Sequence, residues 1–198
     1  MKIMTRRYVK SLYVFDIDDT LFQTTARAKV TNSKGEVKFL NSEELKDFKI
    51  KDNETICFAE FKDSKKFANE SRPIKPIIKK AQDCIKKAAY GSKTILLTAR
   101  SDLDCKDLFL EYLNSSGLDI NRIYVERAGN LAKLKTPEAK KLIISKYLET
   151  HQYRAAYLFD DSMDNIQSFV QLKKIFPKIR IIPKHVDDTM INKSEFIN

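Results

Sequence analysis

Cysteine is scarce and badly placed for cross-linking. Cys57, Cys84 and Cys105 are the only three. They cannot all pair within one chain, they form no Cys-x-x-Cys pair, and their spacing fits no zinc site, so reduced thiols of an intracellular protein are expected. Long apolar runs are also missing. No window approaches the ~18 apolar residues of a membrane span. The basic start, with Lys2, Arg6, Arg7 and Lys10, is followed by the apolar run Leu12–Phe15, which stops at Asp16 and is too short for the core of a secretion signal. A soluble, cytoplasmic protein is the expectation. Internal repeats, low-complexity tracts and recognised nucleic-acid-binding motifs are absent as well.

What is present is a chain of 198 residues, the size of one ordinary domain with room for a small insert. Its 42% hydrophobic content supports a real core and argues against global disorder. The formal net charge of +10 favours anionic partners such as nucleic acid, nucleotides or an acidic membrane surface, against the plainer reading of a solvated lysine-rich exterior.

Largely apolar runs of three to five residues recur at Leu12–Phe15, Thr94–Leu97, Ile123–Val125, Ala155–Phe159 and Ile179–Ile182. They read as buried parallel strands. Between most of them lie helical patterns. Pro73 is expected to open a helix with Ile74, Ile77, Ile78, Ala81, Ile85 and Ala88 on one face and Gly91 beyond its end. Ser101 or Asp102 is expected to cap the next helix, with Cys105, Leu108, Phe109 and Tyr112 inward and Gly117 at its end. Thr136 reads as the N-cap of a third, followed by Pro137, with Ala139, Leu142 and Ile143 inward. Asp164 opens a fourth, stopped by Pro177. Alternating strands and helices predict an α/β fold with a central parallel sheet of about five strands and right-handed crossovers. The stretch Thr24–Arg72 is too long for a plain connection. It carries a hairpin signal at Asn32-Ser33-Lys34-Gly35, a short helix at Ser42–Phe48 and a strand at Ile56–Phe61, and reads as a small cap-like insert within a single domain.

Three of the strands end in chemistry. Phe15-Asp16-Ile17-Asp18-Asp19-Thr20 places carboxylates where the first strand stops, Leu97-Thr98-Ala99-Arg100 a hydroxyl and a cation after the second, and Phe159-Asp160-Asp161-Ser162 an acidic pair after the fourth. The carboxyl ends of parallel strands meet at one edge, where ligands bind. An aspartate there can attack phosphorus and become an aspartyl-phosphate. A second carboxylate two residues later can act as general acid and base. Asp16 is therefore the expected nucleophile and Asp18 the proton carrier, with Thr20 bracing the turn. Thr98 can hold phosphoryl oxygens or cap the following helix, and Arg100 is a candidate phosphate-binding cation. Asp160 and Asp161 would repel unless a cation neutralises them, which suits Mg²⁺ with its oxygen ligands. Asp164 could assist or could simply cap a helix.

In this order the motifs resemble the haloacid dehalogenase-like (HAD) hydrolase superfamily, whose pattern is hydrophobic-Asp-x-Asp-x-Thr, a strand ending in Thr or Ser, a lysine, and an acidic pair after another strand. The resemblance spans roughly residues 12–183. It implies a Rossmann-like sheet, Mg²⁺ dependence and an aspartyl intermediate, with the metal held by Asp16, the carbonyl of Asp18 and Asp160; on the residues alone, Asp161 or Asp164 could help directly or through water. The second aspartate is similar to the phosphatase branch, since a departing halide needs no proton. The family lysine, early in a helix in a Thr-x-x-aromatic-Lys context, matches Thr136-Pro137-Glu138-Ala139-Lys140 with alanine at the aromatic position. Lys140 is taken over Lys135 and Lys133.

Phe22 after the first motif and Thr98-Ala99-Arg100 look similar to members acting on nucleotides or polynucleotide 3′-phosphate ends. Lysines along the Pro73 helix (Lys75, Lys79, Lys86) and around the last crossover (Lys173, Lys174, Lys178, Arg180, Lys184) could attract such a substrate, with Tyr8, Tyr13 and Phe22 as candidate stacking residues. The alternative is a catalytically inactive basic protein on the same fold that binds nucleic acid or serves as a scaffold.

Overall fold

A computed structural model describes residues 9–131 and 133–187. Five parallel strands form the central sheet: β1 (Ser11–Phe15), β7 (Lys93–Thr98), β8 (Ile123–Arg127), β9 (Ala155–Asp160) and β10 (Arg180–His185), in the order β10-β9-β1-β7-β8. The chain runs outward from β1 through β7 to β8, then returns to lay β9 on the other side of β1. That reversal makes the carboxyl end of β1 a topological switch point. The arrangement is an α/β fold compatible with a Rossmann-like one.

Side chains alternate along each strand, so each strand feeds two cores. Tyr13, Phe15, Leu96, Ile123 and Phe159 face α3 (Lys75–Lys86) and α4 (Lys106–Ser115). Leu12, Val14, Ile95, Leu97, Ala156 and Leu158 face α5 (Thr136–Leu148) and α6 (Met163–Val170). A last short helix, α7 (Leu172–Ile175), leads into β10. The apolar strands are buried on both faces because helices cover both.

Between β1 and α3 lies the stretch expected as an insert. A two-residue pair at its base joins β2 (Phe22–Gln23) to β6 (Arg72–Pro73). Above it stands a three-stranded antiparallel sheet ordered β4-β3-β5, built from β3 (Ala28–Asn32), β4 (Val37–Leu40) and β5 (Glu54–Cys57). Helix α1 (Ser42–Asp47) carries a complete capping box between Asn41 and Glu44. A 3₁₀ turn at Ala59–Phe61 leads into α2 (Ser64–Glu70), whose Phe67 inserts beside Phe22 and Phe109.

Several expected boundaries move. Pro73 pairs with Phe22 in β6, and the helix starts at Lys75. Cys105, not Ser101 or Asp102, is the N-cap of α4, because Asp102 is engaged with Asn130. Cys105 is exposed rather than inward. In α5 the Ala139 N–H donates to the Lys135 carbonyl, so Lys135 is the N-cap and Thr136 already helical. Leu142 points outward, 40% exposed, while Lys140 takes an inward position. Ser162 is the N-cap of α6, with Asp164 in its first turn. The strand expected at Ile56–Phe61 runs from Glu54 to Cys57 and then turns.

Candidate functional site

Strand polarity delivers the acids. Asp16 follows β1 directly and Asp160 closes β9. The Asp16 N–H donates to the Phe159 carbonyl at 2.9 Å, fixing the two strand ends together. Asp16, Asp160 and Asp161 each offer a carboxylate oxygen, all within 4.8 Å of one another. Alternation turns Asp16 toward the α5 side of the sheet, where Lys140 waits. Its Nζ donates to Asp16 Oδ1 at 2.5 Å and to Asp160 Oδ2 at 2.8 Å. Lys140 is 2% exposed and Asp160 fully buried. Lys133 and Lys135, by contrast, lie exposed at the surface.

The electrostatics follow from burial. Desolvation pushes the Asp16 carboxyl well above the ordinary carboxylate range. Lys140 pulls it back, and Asp160, Asp161 and Asp18 push it up again. Burial works against the charged form of Lys140, but Asp16 and Asp160 outweigh it and hold the ammonium above its usual value. Three carboxylates against one ammonium leave a negative balance at this point. An all-oxygen carboxylate donor set fits a hard divalent cation such as Mg²⁺, Mn²⁺ or Ca²⁺.

Asp160 is oriented by groups that sequence reasoning missed. The Ser162 N–H and Asn165 Nδ2 donate to its Oδ1 at 3.0 and 2.9 Å, leaving Oδ2 to Lys140. Asn165 sits on the inner face of α6 beside Ile166 and Phe169. A polar residue among such neighbours looks like any surface asparagine until the helix is docked. Thr20 is fully buried, bonding Asp161 at 3.3 Å through its hydroxyl and accepting from the Asp161 N–H at 3.1 Å. It braces the acidic turn from the end of the neighbouring strand.

A second cluster occupies the opposite face of the strand ends. Arg100, 3% exposed, grips Asp18 through Nε at 3.1 and 3.0 Å and through Nη2 at 2.6 Å. Its Nη1 donates to the Phe61 carbonyl at 2.8 Å, and its guanidinium lies over the Phe61 and Phe67 rings. Thr98 accepts from the Arg100 N–H at 3.0 Å and donates to Asp18 Oδ2 at 3.3 Å. Thr98 caps no helix, since α4 begins only at Lys106. Asp19 adopts φ 55°, a left-handed conformation that aspartate tolerates, and its carboxylate accepts from the Thr24 N–H at 3.3 Å, closing the turn into the insert.

Other expected residues fall elsewhere. Tyr13 and Phe22 are buried, Tyr13 stacked on Tyr157 and Phe22 packed on Phe67 and Tyr112, so neither is free to stack on a base. Tyr8 lies outside the described residues. Lys75, Lys79, Lys86, Lys173, Lys174, Lys178, Arg180 and Lys184 are exposed. Asp164 is exposed too and takes no part in the group of carboxylates that could share an ion. A cleft of about 290 Å³ on the insert, lined by Thr25, Arg27, Phe39, Glu60, Lys66 and Glu70, shares no residue with the acids. Among the described residues no helix is long and apolar enough to cross a membrane.

Residues 2–161 match the family described as protein of unknown function (DUF2608), and the chain belongs to that family. No curated protein and no solved structure matches it.

Proposed function

We propose that this chain is a Mg²⁺-dependent phosphomonoesterase of the HAD superfamily, acting through an aspartyl-phosphate on Asp16. The observation that carries the reading is the buried bridge from Lys140 to both Asp16 and Asp160, with Asp161 close enough to share an ion. One strand-end carboxylate is thereby paired with a cation at the edge where ligands bind in such sheets. Asp16, Asp160 and Asp161 would hold the magnesium, which when bound neutralises charge between carboxylates and phosphate. An Asp16 oxygen forms the new bond to phosphorus as the ester P–O bond breaks. Lys140 holds Asp16 in place and offsets phosphoryl charge. Asp18, once the Arg100 pair loosens and it has taken a proton from solvent, gives that proton to the leaving oxygen. Water then attacks the acyl-phosphate, Asp18 takes the proton back, and inorganic phosphate departs with Asp16 restored.

The proposed substrate is a nucleotide or a polynucleotide 3′-phosphate end. The net charge of +10 and the exposed lysines favour such an anion. The test is hydrolysis of p-nitrophenyl phosphate and of a 3′-phosphorylated oligonucleotide with Mg²⁺. Wild type should release phosphate, Asp16→Asn should not, and chelation should stop the reaction reversibly. Phosphate release that survives either Asp16→Asn or chelator would sink the mechanism.

A further inference from the structure

One half-buried cation at the same sheet edge has no role in the chemistry above. β7 and β8 end side by side, with Thr98 paired to Arg127 on the last rung of the ladder. Paired residues on neighbouring strands share a face. Arg127 therefore lies on the side of the sheet taken by Thr98, Asp18 and Arg100, opposite Lys140. Two strand spacings, roughly 10 Å, separate the ends of β1 and β8, a gap that an arginine side chain can largely cross.

Arg127 is held in place but not satisfied. Its side chain is only 15% exposed, and its Nε is buried with no hydrogen-bond partner. The carboxylate beside it, Asp102, stands 3.7 Å away, beyond hydrogen-bond reach, and is 78% exposed. Asp102 is already committed to Asn130, exchanging backbone and side-chain bonds of 3.1 Å with it. The backbone around Arg127 is rigidly set. A Cβ on Gly129 would stand 2.4 Å from the Ala99 carbonyl oxygen and 2.6 Å from the backbone of Arg100 and Ser101, so the turn after β8 packs directly on the segment after β7. A half-buried guanidinium with an unmet donor, at a ligand-binding edge, can present that donor to an acceptor from outside by a turn of its side chain.

We propose that Arg127 is a second anion-binding residue of the site, receiving a phosphate or phosphodiester that the substrate carries within about one nucleotide of the reacting group. The planar fork suits a phosphate's paired oxygens. The inference rests on the phosphatase reading and narrows it, from any phosphomonoester to one flanked by another phosphate.

The test compares a nucleoside 3′,5′-bisphosphate with the matching nucleoside 3′-monophosphate, with a 3′-phosphorylated dinucleotide as the arm that distinguishes a diester neighbour from a free phosphate. Wild type should prefer the doubly charged substrates in kcat/KM. Arg127→Gln should reduce that preference by roughly ten- to hundredfold, mostly through KM. Arg127→Lys should restore part of it. Equal losses on mono- and bisphosphate, or a lowered Tm without loss of preference, would make Arg127 a structural tether and overturn the proposal. Binding to Asp16→Asn protein with Mg²⁺, read by calorimetry, separates the two failures. If no nucleotide is hydrolysed but the bisphosphate binds more tightly than the monophosphate in an Arg127-dependent way, the phosphatase reading falls and the anion site stands. If the affinities are equal, the anion site falls whatever the turnover.

Discussion

Lys140 is a single ammonium holding two carboxylates from different strands, 2.5 Å from one and 2.8 Å from the other. Replacing it by alanine leaves both acids buried with their cation gone, a change that costs ~3–5 kcal/mol when one partner of a buried pair is removed. Lys140→Ala should therefore lower Tm in chelator, and added Mg²⁺ should recover part of the loss by supplying another cation to the same oxygens. Thermal unfolding with and without Mg²⁺ reads both effects; a variant as stable as wild type in chelator would contradict the bridge. The acids themselves are legible from sequence, because carboxylates straight after short apolar runs that alternate with helical patterns fall at strand ends. The choice of Lys140 came from resemblance. Periodicity alone pointed Leu142 inward, where the structure has it 40% exposed. A buried lysine breaks the apolar pattern by which helix faces are read, so the helix was set slightly out of register at the position where chemistry overrides patterning.

At the scale of elements, the clamp on Arg100 ties the insert to the sheet. The Phe61 carbonyl and the Phe61 and Phe67 rings surround a guanidinium that also holds Asp18. Phe67 is 2% exposed, and truncating it to alanine should cost ~3–5 kcal/mol. The milder Phe67→Leu should keep the fold while loosening Arg100. Under the proposed mechanism it should lower kcat more than it raises KM, which steady-state kinetics would show. Unchanged kcat would mean that Asp18 does not depend on the insert. Here the sequence was less informative. The five strands and the hairpin followed from local apolar runs and turn residues, but the partners of Arg100 are set by tertiary docking of α2, which no local pattern encodes. Helix α3 supplies a second measurement at this scale. Burial pushes the Cys84 thiol up to about 11, above its ordinary range. The folded state thus keeps a proton that the unfolded chain gives up. This contribution to stability is full below pH ~9 and is lost as pH rises through ~11. Denaturant midpoints should fall between those values in wild type and fall less in Cys84→Ala. At pH 8, alkylation should reach the exposed Cys57 and Cys105 and spare Cys84.

For the molecule as a whole, the two ends of the sheet carry opposite character. The carboxyl end gathers the acids. At the amino end the Arg154 N–H donates to the Lys10 carbonyl and the Arg180 N–H to the Arg154 carbonyl, lining up Lys10, Arg154 and Arg180 across adjacent strands, all three exposed. With a net charge of +10, any oligonucleotide binding should weaken steeply with salt, and the slope of log affinity against log salt should be shallower in a Lys10→Gln, Arg154→Gln, Arg180→Gln triple variant. An unchanged slope would move the contact to another face. The placement of β1 has a consequence for how the protein is made. As the first strand of the central sheet it lies in the middle, with β9 as one of its two neighbours, and Asp16 meets its lysine only across 124 residues. A nascent chain emerging from the ribosome therefore carries Asp16 without either of its partners until α5 and β9 follow. The buried acid–lysine–acid bridge is completed in one late step, so no shortened translation product ending before β9 can assemble it.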